Sequence, residues 1–433
     1  MSESLSFSGI AGKRRYFGTD GVRGIVGREL TPALVERLGR AATLWSGGGA
    51  VLIGRDTRAS GRELERAFAS GVASAGGTAM LAGVLPTPAV ALLALDLGAV
   101  ISASHNPPEY NGVKLFDGNG QKLTDEAEEE IEALLGAAPR SAEEGRIDNL
   151  EVAVGSYRDH VTERFGSDLT GLRIGVDCAN GAYAGLAPKA FRNLGATVVA
   201  IGDRPDGSNI NAGCGATDLR SLQQTVSREG LDLGVAFDGD GDRMLAVDER
   251  GETVDGDQIL AVLALDLGVE LVAVTAMANL GLHRLLEERG IRVVTTDVGD
   301  RYVLEALRRE GGVLGGEQSG HLIYLDGHVT GDGLVAALLL CRALRGRRLS
   351  EAVSVVHRYP QVKENVTVSA KELTSAIAEE VERTNAELAG RGRVLVRPSG
   401  TEPVVRVLAE AQDEQEAERL CASIAALVSR ELG

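Results

Sequence analysis

Three aspartates alternate with glycines in the stretch DGDGDR, residues 238–243, directly after the apolar run LDLGVAF. At this spacing Asp238, Asp240 and Asp242 repel one another strongly unless a cation lies among them. Carboxylate oxygens are hard ligands that suit magnesium or calcium rather than zinc. An EF-hand is rejected because Arg243 takes the loop position that requires glycine, and because the flanks are typical of strands. The alternative is an acidic surface turn, and the density of carboxylates favours a metal site over it.

A serine and a histidine share a proline-rich segment, SASHNPPEYNGVK, residues 102–114. The double proline fixes the backbone and stops any helix, which predicts a rigid, exposed loop. Ser104 beside His105, with Lys114 nearby, suits a nucleophile that carries a phosphoryl group. An isolated Ser-His pair is more usually a capped loop, so this interpretation depends on what the other motifs indicate.

Two further motifs combine glycines with polar side chains. The segment RRYFGTDGVRG, residues 14–24, brings Arg15 and Arg23 among glycines that permit close backbone approach. The segment GGEQSGH, residues 315–321, offers a carboxylate, a hydroxyl and an imidazole from Glu317, Ser319 and His321. That set suits the hydroxyl and amino groups of a sugar. Taken alone, the first segment is a turn-rich N-terminus and the second is a tight polar turn.

The last motif is RPSGTEPVVR, residues 397–406. Guanidinium groups, hydroxyls and glycine amides together form a cradle that fits a phosphate. The residues that supply these groups are Arg397, Ser399, Gly400, Thr401 and Arg406. An ordinary hairpin turn explains the same pattern about equally well.

The charge balance of the chain limits the partners it can bind. Lys and Arg number 45 against 62 Asp and Glu, which gives a net charge of −17. Because an acidic chain repels phosphate backbones, we do not expect nucleic-acid binding. Any small anionic substrate needs a local pocket of cations set against this charge.

The apolar runs and the cysteines bear on location. No apolar run approaches the ~18 residues of a membrane span, and the N-terminus lacks the apolar core of a signal peptide. The four cysteines are far apart in sequence and include no C-x-x-C pair, so they carry no zinc or disulfide signature: Cys178, Cys214, Cys341 and Cys421. We therefore expect a protein of the reducing cytoplasm with no membrane partner.

Three segments of the chain share one rhythm of strand, loop, helix and strand, and they cover residues 50–83, 172–202 and 271–300. This βαβ pattern predicts three related α/β domains with mostly parallel sheets. A helix near 371–389, an antiparallel hairpin and a closing helix from about Glu414 to Leu432 predict a smaller α+β domain. The expected domains are residues 1–148, 149–251, 252–359 and 360–433.

As a set and in this order, the five motifs resemble those of the α-D-phosphohexomutases over essentially the whole chain. Three segments are most similar to the members that act on glucosamine phosphates: YFGTDGVRG, GEQSGH and PDGSNINAGCGATDL, residues 205–219. The stretch PEYNGVK is closer to phosphomanno/phosphoglucomutases. The resemblance implies a heart-shaped molecule, with three related α/β domains and a smaller C-terminal α+β domain around one cleft.

The resemblance also implies roles for the motif residues. Ser104 matches the serine that carries the phosphoryl group, and a phosphate oxygen on it joins Asp238, Asp240 and Asp242 around Mg²⁺. Glu317 and Ser319 match the contacts to sugar hydroxyls. The cradle for the distal phosphate matches Arg397, Ser399, Gly400, Thr401 and Arg406.

The implied reaction interconverts glucosamine 6-phosphate and glucosamine 1-phosphate through glucosamine 1,6-bisphosphate, which feeds UDP-N-acetylglucosamine and cell-wall synthesis. Lys114, Arg243 and Arg23 supply charge for transfer. Either His321 or His105 takes the sugar hydroxyl proton. The partner is thus a small sugar phosphate, and the family suggests a homodimer. We expect six cations to converge on one cleft: Arg15, Arg23, Lys114, Arg243, Arg397 and Arg406.

Three other functions compete with this one. The same chemistry on mannose or glucose phosphates is the first. A magnesium-dependent phosphatase or phosphotransferase with an aspartyl-phosphate is the second, because the D-x-D elements also suit that mechanism. A sugar-phosphate sensor that binds without turnover is the third.

Overall fold

The computed structural model describes residues 15–18, 20–399 and 403–433. Within these ranges the chain forms four β-sheets that follow one another in sequence, each with its own helices. The largest buried apolar cluster extends across elements of the first three sheets, and a separate cluster lies beneath the fourth. None of the helices in the described part of the chain is long and apolar enough to cross a bilayer.

The first sheet has seven strands in the order β1-β2-β6-β5-β3-β4-β7. These strands are β1 (Phe17–Gly18), β2 (Gly21–Ile25), β3 (Ala50–Arg55), β4 (Thr78–Val84), β5 (Leu97–Ile101), β6 (Tyr110–Asp117) and β7 (Arg146–Asn149). The helices are α1 (Pro32–Trp45), α2 (Gly61–Ser74), α3 (Thr87–Leu92) and α4 (Asp125–Leu134). Strand β3 pairs in parallel with β4 and β5, whereas β6 runs antiparallel to β5 and β2.

The second sheet has five strands in the order β12-β11-β10-β8-β9. Its elements are α5 (Ala153–Phe165), β8 (Arg173–Asp177), α6 (Ala187–Asn193), β9 (Thr197–Ile201), a 3-10 turn (Gly215–Thr217), α7 (Arg220–Glu229), β10 (Leu233–Phe237), β11 (Met244–Asp248) and β12 (Thr253–Val254). All five residues of β10 are buried. Because β10 and β11 are antiparallel neighbours, the connection between them, residues 238–243, is a tight turn at the sheet edge.

The third sheet has four strands in the order β14-β13-β15-β16. Its elements are α8 (Gly256–Leu267), β13 (Leu271–Thr275), α9 (Leu280–Glu288), β14 (Arg292–Thr296), α10 (Asp300–Glu310), β15 (Leu314–Gly316), β16 (Leu322–Tyr324), α11 (Gly333–Leu344) and α12 (Leu349–Val353). A capping box between Asp255 and Gln258 starts α8. Asp332 caps α11 by accepting from the amides of Leu334 and Val335.

The fourth sheet has three antiparallel strands in the order β17-β19-β18. Its elements are β17 (Gln361–Thr367), α13 (Ser375–Leu388), β18 (Arg393–Pro398), β19 (Val404–Glu410) and α14 (Glu414–Leu432). The predicted closing helix has the expected ends. Helix α13 begins later than the predicted residue 371 because the Thr374 side chain accepts from the Ile377 amide and caps it.

The predicted fold class is confirmed. Each of the three predicted βαβ units is present with its strands in parallel: β3–α2–β4, β8–α6–β9 and β13–α9–β14. The C-terminal unit is the smaller antiparallel α+β domain that the hairpin pattern indicates. The ends of β5, β10 and β15 then place three of the five motifs near one another.

Candidate active site

The aspartate triad lies on the turn between β10 and β11. Asp238, Asp240 and Asp242 are all buried, and one carboxylate oxygen from each lies within 4.8 Å of the other two. Gly241 has a φ of +81°, and a side chain there would come within 2.4 Å of the Tyr183 ring. The turn therefore requires glycine at this position, because it packs against the aromatic side chain behind it.

The triad has oxygens available for a cation. Oδ1 of Asp240 and Oδ1 of Asp242 are buried and have no hydrogen-bond partner among the described residues. The other oxygen of each accepts from Lys114 Nζ, at 2.8 and 3.0 Å. Buried polar atoms without partners are costly, and hard carboxylate oxygens suit a hard cation. The side chains present therefore fit a metal ion.

Electrostatics within the triad point the same way. Burial, and then the charges of Asp242 and Asp240, raise the pKa of Asp238 well above its ordinary value. Burial acts in the same direction on Asp242, but Lys114 and then His321 hold its pKa well below the ordinary value. The positive groups near the triad therefore do not offset the charge of all three buried carboxylates. A bound cation would supply the missing positive charge.

Ser104 lies directly against this triad. Its Oγ donates to Asp238 Oδ2 at 2.5 Å and is 3.2 Å from Nδ1 of His105. The predicted loop is present, but the expectation that it is exposed is wrong at Ser104, which is 1% exposed. The reason is that the second domain covers it: Asn211 Nδ2 donates to the Ser104 carbonyl at 2.9 Å. Ser104 also has a φ of +51°, in the left-handed region.

A chain of alternating charges leads from the triad to the GGEQSGH loop. Lys114 Nζ is 3.0 Å from Asp20 Oδ2, and Lys122 Nζ is 2.6 Å from Asp20 Oδ1. Lys122 also contacts Asp300 at the start of α10. Asp300 Oδ2 in turn lies 3.4 Å from His321 Nε2. Because Lys122 belongs to the first sheet domain and Asp300 to the third, this chain fixes the two domains across the site.

Most of the predicted site residues face one cavity of about 310 Å³. Those that line it are Arg23, His105, Asp242, Arg243, Glu317, His321, Arg397, Ser399 and Arg406. A larger cavity of about 980 Å³ lies elsewhere, along residues 167–172 and 341–348, and none of the motif residues that the structure describes line it. Four of the expected cations thus surround the cavity that the triad borders.

Two arginines of the cavity oppose each other across the last hairpin. Arg397 of β18 and Arg406 of β19 are direct register partners. Burial, and then the charge of Arg406, lower the pKa of Arg397. Like charges directly opposite in an antiparallel pair are destabilising, so the pair favours an anion bound between or beside its guanidinium groups.

Four family models match this chain. They are the phosphoglucomutase/phosphomannomutase alpha/beta/alpha domains I, II and III and the C-terminal domain of the same family, at residues 14–140, 155–251, 255–359 and 361–427. The chain belongs to the phosphoglucomutase/phosphomannomutase family. Membership confirms the expected enzyme class, a phosphohexomutase isomerase.

Individual members of the phosphoglucomutase/phosphomannomutase family are similar over nearly their whole length. A phosphoglucosamine mutase of Pelotomaculum thermopropionicum is 50% identical over 422 residues, which cover 92% of this chain and 95% of that protein. A phosphoglucosamine mutase of Thermobifida fusca is 48% identical over 443 residues, with coverages of 96% and 99%. The crystal structure of a phosphoglucomutase/phosphomannomutase family protein from Burkholderia thailandensis matches with a TM-score of 0.82 at 25% identity, covering 95% and 96%.

Six of the predicted residues that the structure describes do not line the cavity of this phosphoglucomutase/phosphomannomutase family member, and three of them, Ser104, Asp238 and Asp240, lie in the buried cluster beside it. Arg15 is exposed and does not line it, because Glu132 of α4 accepts from the Arg15 amide and the Arg15 guanidinium lies over the Tyr16 ring. Ser319 is exposed and reaches the cavity wall only through Glu317, with Oγ 3.3 Å from Oε2. Lys114 is buried beneath the cavity among carboxylates. Gly400 and Thr401 lie outside the described residues.

The two histidines occupy different environments. Burial, and then the charges of Arg243 and Arg23, lower the pKa of His105 to about 4. Burial acts in the same direction on His321, but Asp300 and Asp242 raise its pKa above the ordinary value. His105 therefore stays neutral beside Ser104, while His321 lies between the carboxylates of Asp242 and Asp300.

Arg58 is a site residue that the sequence analysis missed. Arg58 is 1% exposed, and its guanidinium pairs with Asp56, Nε to Oδ2 at 2.9 Å. The remaining N–H groups donate to three carbonyls of the serine loop, those of Ser104, Asn106 and Pro107. The sequence did contain an indication, since the segment DTR, residues 56–58, directly follows β3, and loops at the carboxyl ends of parallel strands are where ligands bind.

Proposed function

We propose that this chain interconverts glucosamine 6-phosphate and glucosamine 1-phosphate, with Ser104 as the phosphoryl carrier and glucosamine 1,6-bisphosphate as the intermediate. The observation that carries the proposal is the 2.5 Å hydrogen bond from Ser104 Oγ to Asp238 in the buried aspartate triad. The choice of sugar is supported by the similarity to proteins named phosphoglucosamine mutase, at 50% and 48% identity. We further propose that the reaction takes place in the cytoplasm.

The proposed cycle conserves both phosphoryl groups. The bond between phosphorus and Ser104 Oγ breaks, a bond to the 1-hydroxyl oxygen of glucosamine 6-phosphate forms, and the hydroxyl proton passes to a base. The bisphosphate then reorients in the cleft. Its 6-phosphoryl group moves to Ser104 Oγ, the 6-oxygen regains a proton, and glucosamine 1-phosphate leaves.

Phosphoryl transfer depends mainly on positioning and on neutralising charge. Arg243 and Arg23 line the cavity, and Lys114 lies beneath it against Asp240. Mg²⁺ held by Asp238, Asp240, Asp242 and an oxygen of phosphorylated Ser104 supplies further positive charge when bound. The arginines and the lysine orient the phosphoryl group and stabilise the charge that spreads over its oxygens.

His321 takes the hydroxyl proton in this proposal. It lines the cavity, as Glu317 does, and its Nε2 is 3.4 Å from Asp300 Oδ2. His105 instead contacts the carrier, with Nδ1 3.2 Å from Ser104 Oγ, which suits a role in orienting that oxygen. A base backed by a carboxylate and facing the substrate is the usual arrangement for general base catalysis.

The phosphate that is not being transferred binds at the last hairpin. Arg397, Ser399 and Arg406 line the cavity there, on a domain separate from the one that holds Ser104. One cradle then serves the 6-phosphate in the first half of the cycle and the 1-phosphate in the second. Glu317 accepts from hydroxyl groups of the sugar between these two ends.

Substrate competition tests the proposal. We expect kcat/KM on glucosamine phosphates to exceed the values on glucose and mannose phosphates, with activity dependent on the bisphosphate and on Mg²⁺. Comparable or higher values on glucose or mannose phosphates would reassign the sugar. Intact mass together with phosphosite mapping separates the two mechanisms: phosphate on Ser104 supports the carrier, whereas phosphate on an aspartate with release of inorganic phosphate indicates a phosphatase.

A further inference from the structure

A threonine of the first sheet domain holds one member of the aspartate triad. Thr87 is the first residue of α3 and is 2% exposed. Its Oγ1 donates to Asp240 Oδ2 at 2.6 Å, and its backbone N–H donates to the Asp240 carbonyl at 2.8 Å. Thr87 thus forms hydrogen bonds to both the side chain and the main chain of Asp240.

The two oxygens of the Asp240 carboxylate differ in their hydrogen bonding. Oδ2 accepts from Thr87 Oγ1 and from Lys114 Nζ, at 2.6 and 2.8 Å. Oδ1 is buried and has no hydrogen-bond partner among the described residues. Since two donors restrain one oxygen, the carboxylate is unable to rotate about its last bond without breaking both bonds. The unpartnered oxygen therefore points in one direction.

The backbone on both sides of Thr87 is conformationally restrained. Pro86 and Pro88 flank it, and Pro86 caps α3 with a φ of −65°. The residue before them, Leu85, is tied to β3 by a bond from its amide to the Arg55 carbonyl at 3.0 Å. Flanking prolines restrict the backbone on both sides, so the hydroxyl has little freedom to follow a moving carboxylate.

We propose that Thr87 is a positioning residue for the metal site, selecting which oxygen of Asp240 faces the ion. Lys114 is less suited to this selection because it divides its contacts among Asp240, Asp242 and Asp20. The Thr87 hydroxyl donates to Asp240 alone. Groups behind metal ligands commonly contribute about 10-fold to 100-fold to metal affinity, and a neutral donor does so without changing the charge of the site.

The proposal links two domains. Thr87 lies in the first sheet domain and Asp240 in the second, 153 residues further along the chain. Metal affinity therefore depends on the contact between these domains. This inference rests on the metal site of the proposed function, and it concerns the ion rather than the sugar.

Metal titration of the unphosphorylated full-length protein tests it, without any substrate. Mn²⁺ binding is followed by electron paramagnetic resonance, with Mg²⁺ as competitor. We expect Thr87→Val to weaken binding by about 10-fold to 100-fold, and Thr87→Ser to restore affinity close to that of the unaltered protein. Thr43→Val is the matched control, because Thr43 is equally buried but donates to the Gly39 carbonyl within α1.

Each outcome separates the inference from the proposed function. If the unaltered protein binds Mn²⁺ and folded Thr87→Val binds it equally well, the positioning role is wrong and the proposed function stands. If neither the unphosphorylated nor the Ser104-phosphorylated unaltered protein binds Mn²⁺ or Mg²⁺, the metal part of the proposed function is wrong, and the positioning role of Thr87 is wrong with it. If Thr87→Val does not fold, Thr87→Ala replaces it, and affinity equal to that of Thr87→Ser would overturn the proposal. In turnover assays we expect kcat to fall, KM for the sugar phosphate to hold, and excess Mg²⁺ to restore rate.

Discussion

Arg58 donates from Nη2 to the carbonyl oxygen of Ser104 at 2.9 Å, so a wholly buried cation holds the backbone of the proposed phosphoryl carrier. Ser104 has a φ of +51°, a conformation that costs a non-glycine residue about 1–3 kcal/mol. Ser102 adds to the restraint, since its Oγ accepts from the Ser104 amide at 2.9 Å and donates to Asp56 at 2.6 Å. The strained conformation of Ser104 persists because this buried hydrogen-bond network fixes the backbone of the loop.

Replacing Arg58 with lysine keeps the charge and removes the planar fork. We expect kcat to fall about 10-fold to 100-fold, because Ser104 loses a fixed position and small displacements of reacting groups are costly. KM for the sugar phosphate should hold, since Arg58 does not line the cavity. Steady-state kinetics measures both.

Chemical rescue distinguishes positioning by Arg58 from a general loss of stability. Guanidinium added to Arg58→Gly should recover part of kcat, whereas Arg62→Lys, on the exposed face of α2, should behave like the unaltered protein. A loss in Arg58→Lys that appears in KM and leaves kcat unchanged would contradict the positioning role.

Replacing Arg397 with glutamine removes one of two like charges that face each other on β18 and β19. We expect KM for the sugar phosphate to rise about 10-fold or more, since a charge-assisted contact to phosphate is lost. Unfolding in the absence of ligand should not become easier, because repulsion from Arg406 is relieved. Thermal unfolding with and without inorganic phosphate checks this. The same behaviour in Arg391→Gln, at an exposed position, would argue against a phosphate cradle.

Replacing Lys122 with methionine leaves Asp20 and Asp300 facing each other without the cation between them. Because these ion pairs are only partly buried, and Asp20 keeps Lys114 while Asp300 keeps His321, we expect a loss of about 1–3 kcal/mol in urea unfolding, below the about 3–5 kcal/mol typical of a fully buried pair. The double variant Lys122→Met with Asp300→Asn should lose less than the sum of the single changes, because the unpaired carboxylate is also removed. Strictly additive losses would show that the two residues are not coupled.

Local patterns in the sequence predicted the βαβ units and the triad. Apolar runs, helix periodicity and the alternation of aspartate with glycine all lie within a few residues, so they are visible without the fold. Arg58, Thr87 and Lys122 escaped detection because their partners are 46, 153 and 178 residues away. The burial of Ser104 escaped for the same reason, since Asn211 of the second sheet domain covers its loop.

A buried carboxylic acid lies where the third and fourth sheet domains meet. Asp257 of α8 accepts from the Asn279 amide at 2.7 Å, and Asn279 Nδ2 donates to the carbonyl of Tyr359 at 2.9 Å in the connecting segment. Burial, and then the charge of Asp255, raise the pKa of Asp257 to about 7 from 3.8. Between these two values the folded protein keeps a proton that the unfolded chain releases, so stability falls as pH rises from about 4 to about 7.

Replacing Asp257 with asparagine should remove this dependence, because the amide oxygen still accepts from Asn279 and carries no charge. We expect the free energy of unfolding of Asp257→Asn, relative to the unaltered protein, to rise by about 2–3 kcal/mol between pH 5 and pH 8. Urea unfolding at several pH values measures it. Asp168→Asn is the control, since Asp168 is exposed and its pKa is lowered, so it is already ionised across this range. A parallel pH profile for Asp257→Asn and the unaltered protein would mean that Asp257 is ionised in the folded state throughout, and that the junction between the third and fourth sheet domains holds its charge at no cost.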